Sequence, residues 1–366
     1  MKRTIQFVAA LLVPLLLAAP ASSGEIKIID YNVWYGIDGR GTIKMGEYET
    51  PEARAERYSG LVAGLKALDP DIVGIQEANK VRPYSKRLAR DTDRDAVWKV
   101  GNSGIKIFGL GFPVNFSAGL AVFARKNNSL ELLSSKRLSG GGIQREWFSA
   151  HLEGVRYAMA ARVRIDNKPL IIFNLHTNFS LEPGEGTTAL IDRAIARGEI
   201  PDKSRGDIVR KIEEGSRITD NDIRALGDYV KETVRKYDHP YIIMGDLNRT
   251  PESGVIRRLI AELGLIDTWA VKNPSGAGHT WDPTVNTNTR YDGSPFYADG
   301  KTPRKGVAAL EAEFDRTVPR RIDFILLSKH FRPDSVKSAR LVFNEPVNGR
   351  FVSDHIALEV VLKGMP

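Results

Sequence analysis

The chain of 366 residues contains no cysteine. This absence excludes disulfide bonds, thiolate zinc sites, iron–sulfur clusters and a cysteine nucleophile. Beyond the N-terminal region, no apolar run approaches the roughly 20 residues that a membrane span requires. Because 42% of the residues are hydrophobic and 27% are charged, the composition also excludes a disordered chain and a multi-span membrane protein. We therefore expect a globular protein whose stability rests on its core.

The first residues have the pattern of a secretory signal peptide. Lys2 and Arg3 give a positive start, residues 7–19 are apolar, and Ala19-Pro20-Ala21 supplies a small–x–small sequence. We predict a signal peptide over residues 1–21 and a single domain over residues 22–366, exported to the periplasm or the extracellular space. Loss of Lys2 and Arg3 lowers the formal net charge from +8 to +6, which suits nucleic acid, anionic lipid and other phosphate esters alike.

Short β-branched runs alternate irregularly with helical patterns along the mature chain. We predict strands over residues 26–30, 72–75, 120–124, 170–173, 241–244, 324–327 and 356–362. Helices are predicted over residues 51–68, 222–237 and 250–263, the last opening with Thr250-Pro251-Glu252. Hairpin-like pairs over residues 97–175 favour an α/β sandwich with mixed sheets. Residues 180–220 and 285–315 have the composition of long inserted loops.

Polar residues stand at the ends of several apolar runs. Four runs end in Asn32, Glu77, His176 and Asp246, whereas Asp323 and the pair Asp354-His355 precede two others. If the last two strands run opposite to the first four, all of these residues meet at one sheet edge, where α/β sheets bind ligands. Each residue alone has a structural explanation as a turn, a cap or an ion pair. Their joint placement indicates a functional site.

The residue types at these positions fit one chemistry. Carboxylates and amides supply oxygen ligands, which suit Mg²⁺ or the alternative Mn²⁺. The two histidines can donate protons to a phosphoryl oxygen, and a carboxylate beside His355 can help it to activate water. The set therefore predicts metal-assisted attack of water on a phosphate ester.

The motifs in this order resemble the endonuclease/exonuclease/phosphatase superfamily, the deoxyribonuclease I-like group. They are Asp30-Tyr31-Asn32, Gln76-Glu77, Asn174-Leu175-His176, Gly245-Asp246-Leu247-Asn248, Arg321-Ile322-Asp323 and Ser353-Asp354-His355. The resemblance covers nearly all of the mature chain. It implies a four-layer α/β/β/α sandwich with two mixed central sheets, and a magnesium ion bound at one end of them.

The resemblance also implies a role for each site residue. Glu77, helped by Asn32 and Asp354, would hold the metal. Asp246 would orient or deprotonate the attacking water, Asn248 would touch the phosphate, and Asp323 would partner the catalytic His355. His176 would stabilise the transition state or the leaving group. Contacts to the substrate are predicted for Asn178, Arg249 and Trp281.

Several substrates remain open at this stage. The leading hypothesis is an exported phosphodiester hydrolase, either a nuclease or a sphingomyelinase-like phospholipid phosphodiesterase; the alternatives are an inositol-phosphatase-like phosphomonoesterase and a non-catalytic protein that binds phosphate ligands. Branches specialised for abasic DNA carry tyrosine in place of His176, and the tryptophan of the inositol phosphatases is missing before Asp323. Thr280-Trp281-Asp282 is similar to an element of sphingomyelinase-like and deadenylase-like branches. Residues 109–116 are a candidate membrane-touching loop, and no obligate protein partner is evident.

Overall fold

A computed structural model describes residues 24–38, 43–108, 110–144, 148–151 and 154–366. The predicted signal peptide lies outside these residues. The strands are β1 (Ile26–Asn32), β2 (Ile72–Asn79), β3 (Arg94–Val100), β4 (Ile105–Ile107), β5 (Leu110–Phe112), β6 (Ala118–Arg125), β7 (Leu130–Ser139), β8 (Gly142–Gln144), β9 (Phe148–His151), β10 (Arg156–Ile165), β11 (Lys168–His176), β12 (Tyr241–Asp246), β13 (Ile266–Asp267), β14 (Asp323–Leu327), β15 (Val336–Val342) and β16 (Ala357–Leu362). The helices are α1 (Pro51–Leu68), α2 (Val81–Asp91), α3 (Glu185–Ala196), α4 (Arg205–Tyr237), α5 (Gly254–Leu263), α6 (Thr268–Lys272) and α7 (Val307–Thr317).

Two six-stranded sheets form the centre of the protein. The first sheet has the order β15-β16-β1-β2-β6-β3 and the second has the order β13-β14-β12-β11-β10-β7. Alternate side chains of each strand enter different cores: Ile28 contributes to the core between the sheets, whereas its neighbour Ile29 packs under α1 and α2. The second sheet likewise packs its other face against α4 and α5. The layers are therefore helix, sheet, sheet and helix, which confirms the predicted sandwich.

Burial on both faces explains the uniformly apolar strands. In β12, every residue from Tyr241 to Asp246 is buried, and so is every residue of β16. All seven predicted strands lie within or overlap observed ones. Strand direction also agrees with the prediction: β14 runs antiparallel to β12, and β16 runs antiparallel to β1. The predicted single edge is wrong, however, because the polar residues are divided between the ends of two facing sheets.

The helix predictions vary in accuracy because local signals differ in strength. Helix α1 has the predicted bounds, since the Thr50 side chain accepts a hydrogen bond from the Ala53 N–H and Pro51 occupies the first turn. Helix α5 begins at Gly254, four residues after Thr250, because residues 250–253 form a turn in which the Ser253 N–H donates to the Thr250 carbonyl.

Of the two segments predicted as inserted loops, residues 180–220 are largely helical, whereas residues 285–315 are helical only near their two ends. Helix α4 starts at Arg205 rather than at residue 222, and buried Ser216 and Thr219 interrupt its apolar periodicity, which hid the first turns. Residues of α3, α4 and α7, including Leu190, Ile212 and Leu310, share a small core of their own. Residues 180–220 therefore carry packed structure.

A third, four-stranded sheet lies outside the sandwich, with the order β5-β4-β9-β8. Of the candidate membrane-touching loop, the structure describes residues 110–116, which form β5 of this sheet and the turn that follows it. Within the described part of the chain, no helix combines the length and the apolar character needed to cross a membrane.

Candidate active site

Five of the predicted residues, from the ends of both sheets, line one cavity of about 180 Å³; they are Glu77, His176, Asp246, Asp354 and His355. His176 at the end of β11 is paired in register with Asp246 at the end of β12, which is paired with Asp323 at the start of β14. From the first sheet, the side-chain nitrogen Nδ2 of Asn32 lies 3.1 Å from Oδ2 of Asp246 and 3.2 Å from Oε1 of Glu77. The amide of Asn32 therefore joins carboxylates that come from different sheets.

His355 and Asp323 form a buried pair beside Asp246. Nδ1 of His355 lies 2.8 Å from Oδ2 of Asp323, and its Nε2 lies 3.7 Å from Oδ2 of Asp246. Because the carboxylate accepts the Nδ1–H, the ring presents Nε2 to the cavity. Burial alone would lower the pKa of His355, but the charges of Asp323, Asp246 and Asp354 outweigh it and hold that pKa well above its usual value. The imidazolium form is thus favoured near neutral pH.

Asp246 is a buried acid whose pKa lies close to neutrality. Burial raises its pKa to about 7, and the adjacent charge of Asp323 acts in the same direction. Its Oδ1 accepts a hydrogen bond from the Asn248 N–H at 2.9 Å, which leaves Oδ2 among Asn32, His176 and His355. A carboxylate with this pKa can take a proton from water without being permanently protonated.

His176 is held neutral by burial and by an arginine that sequence reasoning did not select. Nη1 of Arg156 donates to Nδ1 of His176 at 3.1 Å, so the proton of the ring stays on Nε2, which lies 3.4 Å from Oδ2 of Asp246. Burial, together with the charges of Arg156 and His355, lowers the pKa of His176 well below its usual value. Arg156 opens β10, the antiparallel neighbour of β11, so a hairpin prediction that included strand register would have placed it beside His176.

The remaining predicted residues occupy different surroundings. Trp281 lines the cavity, lies edge-on to the His355 ring at 5.3 Å, and donates its indole N–H to the Asp315 carbonyl. Asn248 also lines the cavity, and its Nδ2 donates to the Thr177 carbonyl.

Asn178 and Arg249 are occupied by contacts with α4. Asn178 donates to Asp222 and accepts a hydrogen bond from Nε of Arg156. The buried guanidinium of Arg249 bonds Asp220 and Ser216. Asn178 therefore does not line the cavity itself but contacts Arg156, which does. Arg249 packs against α4 and does not line the cavity.

Several charged residues of the cavity wall belong to none of the sequence motifs. They come from the second predicted insertion and from the residues just before β14, and they are Asp292, Arg304, Glu311, Asp315 and Arg320. Arg320 forms a buried ion pair with Asp315 and stacks over the ring of Trp281. The sequence offered no signal for them, because an isolated charge in a loop is usually a solvated one.

A buried polar chain supports the site from below. Nε2 of Gln76 donates to Oδ1 of Asp30 at 2.8 Å and to Oδ1 of Asn174 at 2.7 Å. Nδ2 of Asn174, on the second sheet, donates in turn to the carbonyls of Ile75 and Ala121 on the first sheet. These residues lie one or two positions before Asn32, Glu77 and His176, so the chain fixes the two sheets relative to each other directly beneath the cavity.

Comparison with known families assigns the chain. A sequence model described as the Endonuclease/Exonuclease/phosphatase family matches residues 31–355. The chain belongs to this family. Its members hydrolyse phosphate esters and generally depend on a divalent metal ion. No curated protein sequence matches the chain closely enough to count as a relative.

Solved structures of the family share the fold at low sequence identity. TDP2 from D. rerio, complexed with a single-strand DNA product, superposes with a TM-score of 0.54 at 17% identity over 92% of this chain and 98% of that one. A mannosyl-6-phosphatase from Bacteroides thetaiotaomicron gives 0.52 at 15% identity, covering 92% and 99%. The catalytic domain of human Nocturnin with bound sulfate gives 0.50 at 13% identity, covering 92% and 93%. These similarities establish the deoxyribonuclease I-like fold of the family.

The donor set of this family member fits a divalent cation. Burial raises the pKa of Glu77 and, together with contacts to Asp292, raises that of Asp354 well above normal. Among the described residues, neither carboxylate forms an ion pair with Lys or Arg, although the charge of His355 acts on both of them and that of Arg156 acts on Glu77. A second grouping, Asp246, Asp323 and His355, places ligand atoms within 4.8 Å of one another. Its His355–Asp323 hydrogen bond already uses two of those atoms, which favours Glu77 and Asp354 as the cation ligands.

Asn32 is turned so that its amide oxygen accepts from the backbone N–H of Trp34 at 3.0 Å. Its amino group therefore faces Glu77 and Asp246. In this orientation Asn32 holds the two carboxylates in place, and its amide oxygen is not directed at a cation as a further ligand.

Proposed function

We propose that the protein is an exported, metal-dependent phosphodiester hydrolase. The observation that carries the proposal is the His355–Asp323 pair, 2.8 Å apart, with Asp246 within 3.7 Å of the other ring nitrogen, Nε2. A base with a pKa near 7 beside an imidazolium that faces the same cavity suits attack of water on a phosphate ester. The predicted signal peptide over residues 1–21 supports export.

The residues divide the reaction between them. Oδ2 of Asp246 takes a proton from the attacking water, and Nε2–H of His355 donates a hydrogen bond to a phosphoryl oxygen as negative charge builds on it. The Nε2–H of His176, whose Nδ1 is bonded to Arg156, donates a second hydrogen bond to the phosphate. Because Asp246 and His355 lie on the same side of the cavity, the leaving oxygen departs on the opposite side, where solvent supplies its proton.

Glu77 and Asp354 would hold the metal ion, which polarises the phosphoryl oxygen and neutralises its charge when bound. Asn32 keeps Glu77 and Asp246 at fixed separation through its amino group. The Glu77 carboxylate is oriented by a second hydrogen bond, from the Tyr35 N–H to Oε2 at 3.0 Å.

The charge of the cavity favours a diester over a monoester. Its wall carries more acids than arginines; the acids are Glu77, Asp246, Asp292, Glu311, Asp315 and Asp354, and the arginines are Arg156, Arg304 and Arg320. Arg320 is paired with Asp315, and Arg304 donates to the Tyr48 hydroxyl. A diester brings one negative charge into this cavity, whereas a monoester brings up to two, so repulsion is smaller for the diester.

The test is hydrolysis of bis(p-nitrophenyl) phosphate with added Mg²⁺ or Mn²⁺, with a chelator, and by the variants Glu77→Gln and His355→Ala. Glu213→Gln, which changes an exposed glutamate on α4, is the matched control. We expect chelator-sensitive activity that both site variants lose by at least about 100-fold and the control retains. Absence of chelator-sensitive activity on any phosphodiester would refute the proposal, and faster turnover of p-nitrophenyl phosphate would replace it by a phosphomonoesterase.

A further inference from the structure

The third sheet exposes an unusually apolar surface. Its outward residues Ile105, Ile107, Leu110, Phe112 and Ile143 are between 50% and 81% exposed. Single exposed apolar residues are common on proteins, but five on neighbouring strands form a patch of the kind that marks a binding site. We call these five side chains the apolar face.

Strand register places all five side chains on one side of the sheet. Ile105 pairs with Phe112 and Ile107 pairs with Leu110, and paired residues share a face. Ile107 also pairs with Phe148 of β9, and Ala150, two residues further along β9, pairs with Ile143. The alternation thus separates an apolar side from the opposite side, which carries the buried Ser149 and the amino group of Lys106, bonded to the Phe116 carbonyl.

Two further residues extend the apolar face beyond the sheet. The Val114 N–H donates to the Ile43 carbonyl at 3.0 Å, which ties the loop after β5 to the segment containing Ile43. Both side chains are more than half exposed. The apolar face is therefore continued by residues that come from a distant part of the chain.

The surroundings of the apolar face are basic. Residues 96–145 contain seven lysines and arginines and one acid, Glu131, whereas Glu146 and Glu153 stand in the sequence on either side of β9. Lys44 and Lys80 are exposed near the edge of the sheet, and the exposed Arg137 donates to the Gly142 carbonyl of β8. Glu47, which bonds Asn115, is paired with Arg54. Apolar side chains surrounded by positive charge are the combination that binds at the surface of an anionic bilayer.

The same sheet adjoins the active site. Gly101 and Asn102, which lead into β4, line a small cavity together with Glu77, Arg156 and His176. Phe116, which follows β5, packs edge-on against Tyr35 at 5.5 Å, and the Tyr35 N–H holds the Glu77 carboxylate. A surface bound by the apolar face therefore lies beside the opening of the catalytic cavity.

We infer that the apolar face docks the protein on an anionic phospholipid bilayer. The isoleucine, leucine and phenylalanine side chains enter the acyl boundary, and the surrounding lysine and arginine side chains meet the lipid phosphates. The charge of the face favours this partner over a second copy of the chain, because two like-charged surfaces would repel each other. Nucleic acid is disfavoured too, since its bases stack on aromatic platforms and the face consists mainly of aliphatic side chains.

Co-sedimentation of the mature chain with vesicles tests this inference. We expect binding to vesicles of equal parts phosphatidylcholine and phosphatidylglycerol that weakens in high salt and for phosphatidylcholine alone. The double variant Ile107→Ser/Leu110→Ser should bind at least about tenfold more weakly, because it removes two exposed apolar side chains. The control Leu132→Ser/Val285→Ser changes two exposed apolar residues outside the third sheet and should bind like the wild type.

The outcomes separate docking from catalysis. Failure of the wild type to bind anionic vesicles, or equal binding by both double variants, would overturn the inference. So would a concentration-dependent dimer in sedimentation velocity that the variant Ile107→Ser/Leu110→Ser abolishes, since the occupant would then be a second copy. Hydrolysis of soluble bis(p-nitrophenyl) phosphate is measured in parallel and should be unchanged by either double variant. If vesicle binding persists without any such activity, the proposed function fails and the docking surface stands.

One further arm rests on the proposed function. If the bilayer also supplies the substrate, the variant Ile107→Ser/Leu110→Ser should lose hydrolysis of phospholipid in vesicles and retain hydrolysis of the soluble diester. Loss of both activities in a variant that keeps its circular dichroism spectrum would place the apolar face in the catalytic machinery and contradict a docking role.

Discussion

Replacing Asp323 by Asn tests whether this carboxylate acts through His355. Asp323 is 1% exposed and accepts the Nδ1–H of His355 at 2.8 Å, so the isosteric change removes a charge while disturbing the packing little. A hydrogen bond to a charged partner contributes about 1.5–3 kcal/mol. If that contribution is expressed in the transition state, kcat should fall about 10- to 150-fold. The change also removes one of the charges that raise the pKa of His355, so that pKa should decrease.

The assay is turnover of bis(p-nitrophenyl) phosphate at saturating substrate and metal, combined with an NMR titration of His355. His355→Ala should reduce kcat by about 10²–10⁴-fold, because it removes the group that donates a hydrogen bond to the phosphoryl oxygen. In that background Asp323→Asn should have little additional effect, since residues that act as a unit are not additive. An equal loss from Asp323→Asn with and without His355 would refute the reasoning and make Asp323 an independent group.

Three further variants test the surroundings of the site. Asn174→Leu removes one of the two acceptors of Gln76 and leaves two carbonyls without this donor, so urea denaturation should show a loss of about 2–4 kcal/mol; an unchanged midpoint would mean that the polar chain does not join the sheets. Arg156→Leu should raise the pKa of His176 in an NMR titration, because the charge of Arg156 lowers it, and an unaltered pKa would contradict the assigned contact. Burial and the charge of Asp315 raise the pKa of Glu311 from 4.5 to about 7, so its stabilising contribution is complete below pH 4.5 and is lost as the pH rises through 7. Glu311→Gln should therefore increase the free energy of unfolding by up to about 3 kcal/mol at pH 8 and hardly at pH 4; an equal effect at both pH values would argue against a raised pKa.

The positions of the site residues could be predicted because they follow from strand periodicity. An apolar run buried on both faces accepts a polar side chain only where that side chain is hydrogen-bonded, as Gln76 and Asn174 are, or where the strand meets solvent or a cavity, as at Asp246. The direction of each strand then decides at which end of its sheet the polar residue lies. Both antiparallel strands, β14 and β16, run as predicted. That the residues belong to two facing sheets followed from the family resemblance rather than from the spacing.

Contacts that depend on tertiary packing could not be predicted. Arg249 follows the Asn248 motif directly, yet its guanidinium enters a polar pocket made by Ser180, Ser216 and Asp220 of the helical insertion. Those partners are 29 to 69 residues away in sequence, and one of them, Ser216, is also among the buried polar residues that concealed the start of α4. The same local feature thus led both to the short helix prediction and to the assignment of Arg249 to the substrate.

The polar chain beneath the cavity gives the two sheets a fixed relation that apolar packing alone would not give. Methyl groups between two sheets can slide by small amounts at little cost, whereas a buried hydrogen bond such as Gln76 to Asn174 is lost when its length increases by about an ångström. A shift of that size would separate Glu77 on one sheet from His176 and Asp246 on the other, and would open the contact that Asn32 makes across the interface. Stability and catalysis should therefore fail together when this chain is broken, whereas Asp323→Asn should reduce catalysis alone.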